Sequence, residues 1–171
     1  MSRRRLGGLT LALVSLALTA CGYSFQGTLP QDIQTIAVPI FANRTSQPNV
    51  DSIITRAVVQ AFVTNGRLRV VRVAEADVIL EGEVVGYGVF PIAFDPTLSI
   101  QEYRVGVTLN LRMRDVRRNT VLFQQNGVSE QADFRATGAA VSTTISIEET
   151  ALTAAAGQIA RTVVSLAIDR F

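Results

Sequence analysis

Two carboxylates two residues apart, Glu81 and Glu83, and a run of arginines, Arg104, Arg112, Arg114, Arg117 and Arg118, are the residues whose types and spacing could do chemistry. Glycoside hydrolysis uses a carboxylate pair ~5 to 9.5 Å apart. Same-face neighbours on a strand reach about that separation by geometry alone. Alternation of Glu81 and Glu83 with Leu80, Gly82 and Val84 is what a half-buried strand requires. Nothing else supports catalysis. The chain has no His, so it has no Ser-His or Cys-His nucleophile pair, no imidazole base and no His-ligated metal. One Cys builds neither an intramolecular disulfide nor a thiolate metal cluster. The expectation is a protein that is not an enzyme and holds no metal or other cofactor. Gly86-Tyr87-Gly88 lacks the third glycine and following helix of a nucleotide loop, and reads as a bulge or bend.

The arginines have more than one reading. Arg104, Arg112 and Arg114 fall at even spacing on one face of one strand, and planar guanidinium forks suit phosphate groups. The same side chains suit cross-strand pairing with Glu81, Glu83 or Glu102, an ordinary sheet device.

The lone Cys lies where a processing signal would place it. Arg3, Arg4 and Arg5 precede an uncharged stretch from Leu6 to Leu18, 13 residues long. That is short of the ~20 apolar residues of a membrane span and fits the apolar core of a secretory signal. Leu18-Thr19-Ala20-Cys21 resembles the bacterial lipobox, which implies cleavage before Cys21 and acylation of its sulfur. Each buried CH₂ of an acyl chain contributes ~0.8 kcal/mol, so a multiply acylated Cys holds a protein stably at a bilayer. Gly22 is not the Asp that retains similar lipoproteins at the inner membrane, so the outer membrane is the expected destination. All sixteen basic residues are Arg, and three precede the cleavage point. A chain beginning at Cys21 therefore has thirteen Arg against fourteen acids, a net charge of −1. A general attraction to nucleic acid is thereby excluded.

Residues 1–20 thus read as a signal peptide and 21–171 as one domain. Gln34–Phe41 alternates as a first strand, with Pro39 marking its exit from a ladder. Asp51 or Ser52 can cap a helix over 52–65, stopped by Asn65-Gly66. Arg67–Val73 and Asp77–Val89 read as strands. Tyr103–Met113 is the clearest strand, apolar at every odd position and followed by the turn-like Asp115–Thr120 and a returning Val121–Phe134. After a loop from Arg135 to Thr144, Ser146 and Glu149 form a capping-box pattern. Leu152, Ala156, Ile159, Val163 and Leu166 then predict a helix to about Arg170. The order implies an α+β two-layer sandwich, an antiparallel sheet covered on one face by two helices.

Several blocks together resemble the LPS-assembly lipoprotein LptE family. They are Cys21-Gly22-Tyr23-Ser-Phe25-Gln-Gly27, Leu29-Pro30, Ile36-Ala-Val-Pro-Ile-Phe-Ala-Asn-Arg-Thr45, Ala76-Asp77-Val-Ile-Leu-Glu-Gly82 and Glu102-Tyr103-Arg104-Val105. The resemblance implies two helices on about four antiparallel strands, anchored through Cys21 on the periplasmic side of the outer membrane. It implies a partner, the wide β-barrel LptD, which such proteins plug and help assemble, and lipopolysaccharide as the cargo they help deliver to the outer leaflet. Family members carry basic residues in the loop before the Glu-Tyr strand and before the last helix. Here Phe94–Gln101 has no basic residue and the later segment offers only Arg135, so those sites do not carry over. Arg104, Arg112 and Arg114 remain as candidate contacts for lipopolysaccharide or for a polar barrel lumen. Tyr23 and Phe25 could hold the first strand or meet the membrane interface. Ile36–Thr45 also resembles the start of other periplasmic modules, such as curli-type nucleating lipoproteins and the amino-terminal domain of TolB. An adaptor of a secretion or fibre-export channel, pilotin-like, is the alternative.

Overall fold

The computed structural model describes residues 30, 32–94, 100–135 and 141–169. The apolar stretch Leu6–Leu18, Cys21, Tyr23 and Phe25 lie outside them. The described chain folds as β1 (Thr35–Ala37), β2 (Ala42–Asn43), α1 (Val50–Asn65), β3 (Arg69–Val70), a 3₁₀ turn (Val73–Glu75), β4 (Val78–Phe94), β5 (Ile100–Asp115), β6 (Thr120–Arg135) and α2 (Val141–Asp169). The sheet runs β3-β1-β4-β5-β6, with β2 also paired to β4. The α+β class holds, with both helices on one face.

Among the described residues six strands stand where about four were expected, and the sheet is mixed. β1 pairs in parallel with β3 and with β4, and β2 in parallel with β4; only β4-β5-β6 is antiparallel. The cause is connectivity, because β1 reaches β3 through α1, and such a crossover returns the chain in the same direction. The expected strand Gln34–Phe41 stops at Ala37, and Pro39 stands in the gap before β2. Arg67–Val73 shortens to two residues because its only partner is three residues long. Arg69 and Val71 N–H donate to the Gln34 and Ile36 carbonyls, and the ladder ends there.

α1 starts at Val50, ahead of the expected caps, because Asn49 takes a left-handed conformation (φ 63°). Its C-terminal stop is as anticipated: Gly66 (φ 73°) donates its N–H to the Phe62 carbonyl at 3.0 Å. α2 begins at Val141, five residues before the Ser146 capping box. No Gly or Pro lies between to halt a helix, so the local signal is overridden.

The core lies between the sheet and the helices. Leu80, Val84, Val107, Leu109, Leu111 and Met113 meet Ile54, Val58 and Phe62 of α1 and Leu152, Ala156, Ile159 and Val163 of α2, while Val105 packs with Phe134, Ala151 and Ala155 in a smaller cluster. Phe41 also enters it, beneath β4. A Cβ at Gly82 would stand 2.6 Å from the Phe41 ring, so the glycine makes that approach possible. Buried Thr55 fixes the same loop to α1: its Oγ1 accepts the Phe41 N–H at 3.0 Å and donates to the Asp51 carbonyl at 2.7 Å. Glu148–Ile168 is long and apolar enough to cross a bilayer. Its apolar stripe is spent instead on the sheet.

Candidate functional site

No described element covers the other face of β4-β5-β6. It carries the even positions of β5, which are Arg104, Gly106, Thr108, Asn110, Arg112 and Arg114, and the strand registers decide what each meets. Arg112 stands opposite Glu81 and gives its Nε and Nη2 to Glu81 Oε2 at 2.8 and 2.5 Å. Arg114 lies 4.0 Å from the same carboxylate and 3.4 Å from Asn119 Oδ1. Arg104 forks onto Asp133, Nε to Oδ1 at 2.6 Å and Nη2 to Oδ2 at 2.8 Å. That guanidinium holds the Asp133 carboxyl below its ordinary range. Glu83 accepts from Arg44 Nε at 2.6 Å, and Glu102 from Arg135 Nε at 3.4 Å. Glu81 and Glu83 are therefore ion-pair partners and not a free carboxylate pair. The cross-strand pairing anticipated for this face is present, with Asp133 added as a partner.

The arginine run divides in two. Arg104, Arg112 and Arg114 share the open face, whereas Arg117 and Arg118 sit in the turn after β5 and take part in a knot at one end of the sheet. Arg117 Nη2 contacts Asp77 Oδ1 and also donates to the Asp32 carbonyl at 3.1 Å. Arg118 reaches Asp115 at 2.8 Å and Asp32 at 2.7 Å. Asp77 Oδ2 also accepts the N–H groups of Gln34 and Thr35, each at 3.0 Å, and the Thr35 hydroxyl at 2.8 Å. Arg117 first, then these donors, hold the Asp77 carboxyl far below the usual carboxylate range. The Arg118 N–H and side chain do the same, more mildly, for Asp115. Thr35 and Asp32 carried no signal for this role, since their partners lie more than 40 residues away in sequence.

Between the layers, Tyr87 on β4 donates its hydroxyl to Glu148 Oε1 on α2 at 2.5 Å. Burial, and then this carboxylate, raise the phenol's pKa. The anticipated irregularity at Gly86-Tyr87-Gly88 is a register shift between Val84 and Gly86. Among the described residues no group of three or more His, Cys, Asp or Glu is placed to hold a metal ion.

One mixed sheet with a helix-covered apolar face and an open, ion-paired polar face places the described chain among two-layer α+β domains. The same fold occurs in a hypothetical protein from Chlamydia trachomatis (7% identity, TM-score 0.56, covering 79% of this chain and 95% of that one). It also occurs in the rare lipoprotein B from Shewanella oneidensis (15%, 0.50, 77% and 93%) and in lipoprotein B from Nitrosomonas europaea (15%, 0.50, 85% and 92%). No curated protein matches the sequence. The chain belongs to the LptE lipopolysaccharide-assembly family, whose model matches residues 33–166.

Proposed function

We propose that the protein is an outer-membrane lipoprotein, cleaved before Cys21 and acylated there, that sits on the periplasmic side as partner and plug of the lipopolysaccharide-export barrel LptD. In this role it assists assembly of the barrel and delivery of lipopolysaccharide to the outer leaflet. Residues 1–20 act as the signal and 21–171 as the working domain. The observation that carries the reading is the family match over residues 33–166. The uncovered face supports it physically. A plug must present to a polar lumen a surface whose charges are already compensated, so that docking strands no unpaired ion. Arg104, Arg112 and Arg114, each beside a carboxylate, meet that requirement and are the proposed contacts.

The test is a photo-reactive residue placed in turn at positions 104, 112 and 114 in cells. Adducts with a large barrel, with lipopolysaccharide or with both are expected. Absence of any adduct, together with recovery of only unpartnered monomer from mildly solubilised membranes, overturns the reading. Cys21→Ala is expected to move the protein out of the membrane fraction.

A further inference from the structure

One row of the open face differs from the others. Phe90, Arg104 and Asp133 stand side by side across β4, β5 and β6, and Gly88, Gly106 and Gln131 form a neighbouring row. The two glycines let the Phe90 ring lie on the sheet. A Cβ at Gly88 would stand 2.6 Å from Phe90 Cζ, and one at Gly106 would stand 4.0 Å from Phe90 Cε2 and 3.8 Å from Gln131 Cγ. The ring roofs two bare backbones yet stays 58% exposed, a large apolar surface set among polar side chains. The row of Arg112 has only Glu81 and Gln124 beside it.

The flanking groups are matched in kind. Arg104 spends Nε and Nη2 on Asp133, which leaves Nη1 as a donor toward solvent, while Asp133 keeps acceptor capacity and Gln131 offers both. Charge is balanced, Arg104 against Asp133 and Arg135 against Glu102. An incoming phosphate would meet as many carboxylates as guanidiniums, and an acyl chain would leave the ion pair desolvated. A pyranose has an apolar C–H face and a rim of hydroxyls that donate and accept, which suits a flat ring edged by one donor, one acceptor and one amide.

We propose that the Phe90, Arg104 and Asp133 row is a saccharide-docking site. A sugar ring is seated on Phe90, and its hydroxyls are addressed by Arg104, Asp133 and Gln131. The proposal rests on the lipopolysaccharide reading above and names the part of that molecule this face meets: its sugars, ahead of its phosphates or acyl chains.

The test titrates the full acylated chain in detergent with delipidated core oligosaccharide, inorganic phosphate or phosphatidylglycerol vesicles, followed through the Gly88 and Gly106 amide resonances. The oligosaccharide is expected to shift both. Phe90→Leu, which still covers the glycines but removes the flat ring, and Arg104→Gln should each weaken that binding roughly fivefold or more, while Arg72→Gln, at an exposed arginine outside the β4-β5-β6 face, leaves it unchanged. Unchanged oligosaccharide binding in Phe90→Leu and Arg104→Gln overturns the site, as does stronger response to phosphate or phosphatidylglycerol. If the parent protein still binds intact lipopolysaccharide, the broader function survives that result. A parent protein that binds neither oligosaccharide nor lipopolysaccharide overturns both.

Discussion

On β5, Val105, Val107, Leu109, Leu111 and Met113 are at most 1% exposed, whereas their immediate neighbours Arg104, Arg112 and Arg114 keep 29 to 50% of their side-chain surface in solvent. The same backbone ladder carries both sets. Inside, removal of apolar surface from water and close packing supply the stability. Outside, each guanidinium gains a carboxylate but remains hydrated, and such pairs contribute little. The open face can therefore vary its side chains for a partner without endangering the fold.

Substitutions test that contrast, beginning on the covered face. Leu111→Ala should cost about 2 to 5 kcal/mol, read as a lower midpoint in urea unfolding, because the removed methyl groups leave a cavity under both helices. Asp77→Asn in the end knot should cost about 1.5 to 3 kcal/mol by weakening bonds to Arg117, Thr35 and Gln34. Its pH signature is also specific. The folded Asp77 pKa lies below the unfolded value of ~3.9, so its contribution is complete above that pH and fades as the pH falls through the folded value. Unfolding free energy measured below about pH 4 should fall less steeply in Asp77→Asn than in the parent. Tyr87→Phe removes the link between sheet and α2 and should cost about 1 kcal/mol, or ~2 to 4 °C in thermal midpoint. Arg112→Gln should change stability by less than about 1 kcal/mol and become smaller in high salt. An Arg112→Gln cost as large as that of Leu111→Ala would erase the distinction between the faces.

Local patterning made the long strands and both helices legible, because a period of two over Tyr103–Met113 or a glycine after Asn65 acts on neighbouring residues. Pairing across the sheet was less legible. Uniform pairing outward from Asp115 and Thr120 would put Gln131 opposite Arg104, but two one-residue shifts in β6 bring Asp133 there instead. One shift lies beside Gly127, whose φ of 71° and N–H bond to Asn110 Oδ1 mark the bulge. The parallel half of the sheet was legible only in part: β1 and β3 fall inside the strands read at Gln34–Phe41 and Arg67–Val73, but segments of two or three residues carry too little pattern to set their ends, their parallel direction or the existence of β2. On the open face, the even spacing of Arg104, Arg112 and Arg114 was readable. The prominence of Phe90 was not, because it depends on a cross-strand glycine partner that only the register reveals.

The arginines of the β5-β6 turn also determine how the domain bears load. Arg117 grips the backbone of Asp32 and Arg118 its carboxylate, just where the chain enters the sheet toward β1. A tug arriving from the amino-terminal side is therefore shared with the base of the long hairpin, so three-residue β1 does not hold the chain's entry by its own ladder alone.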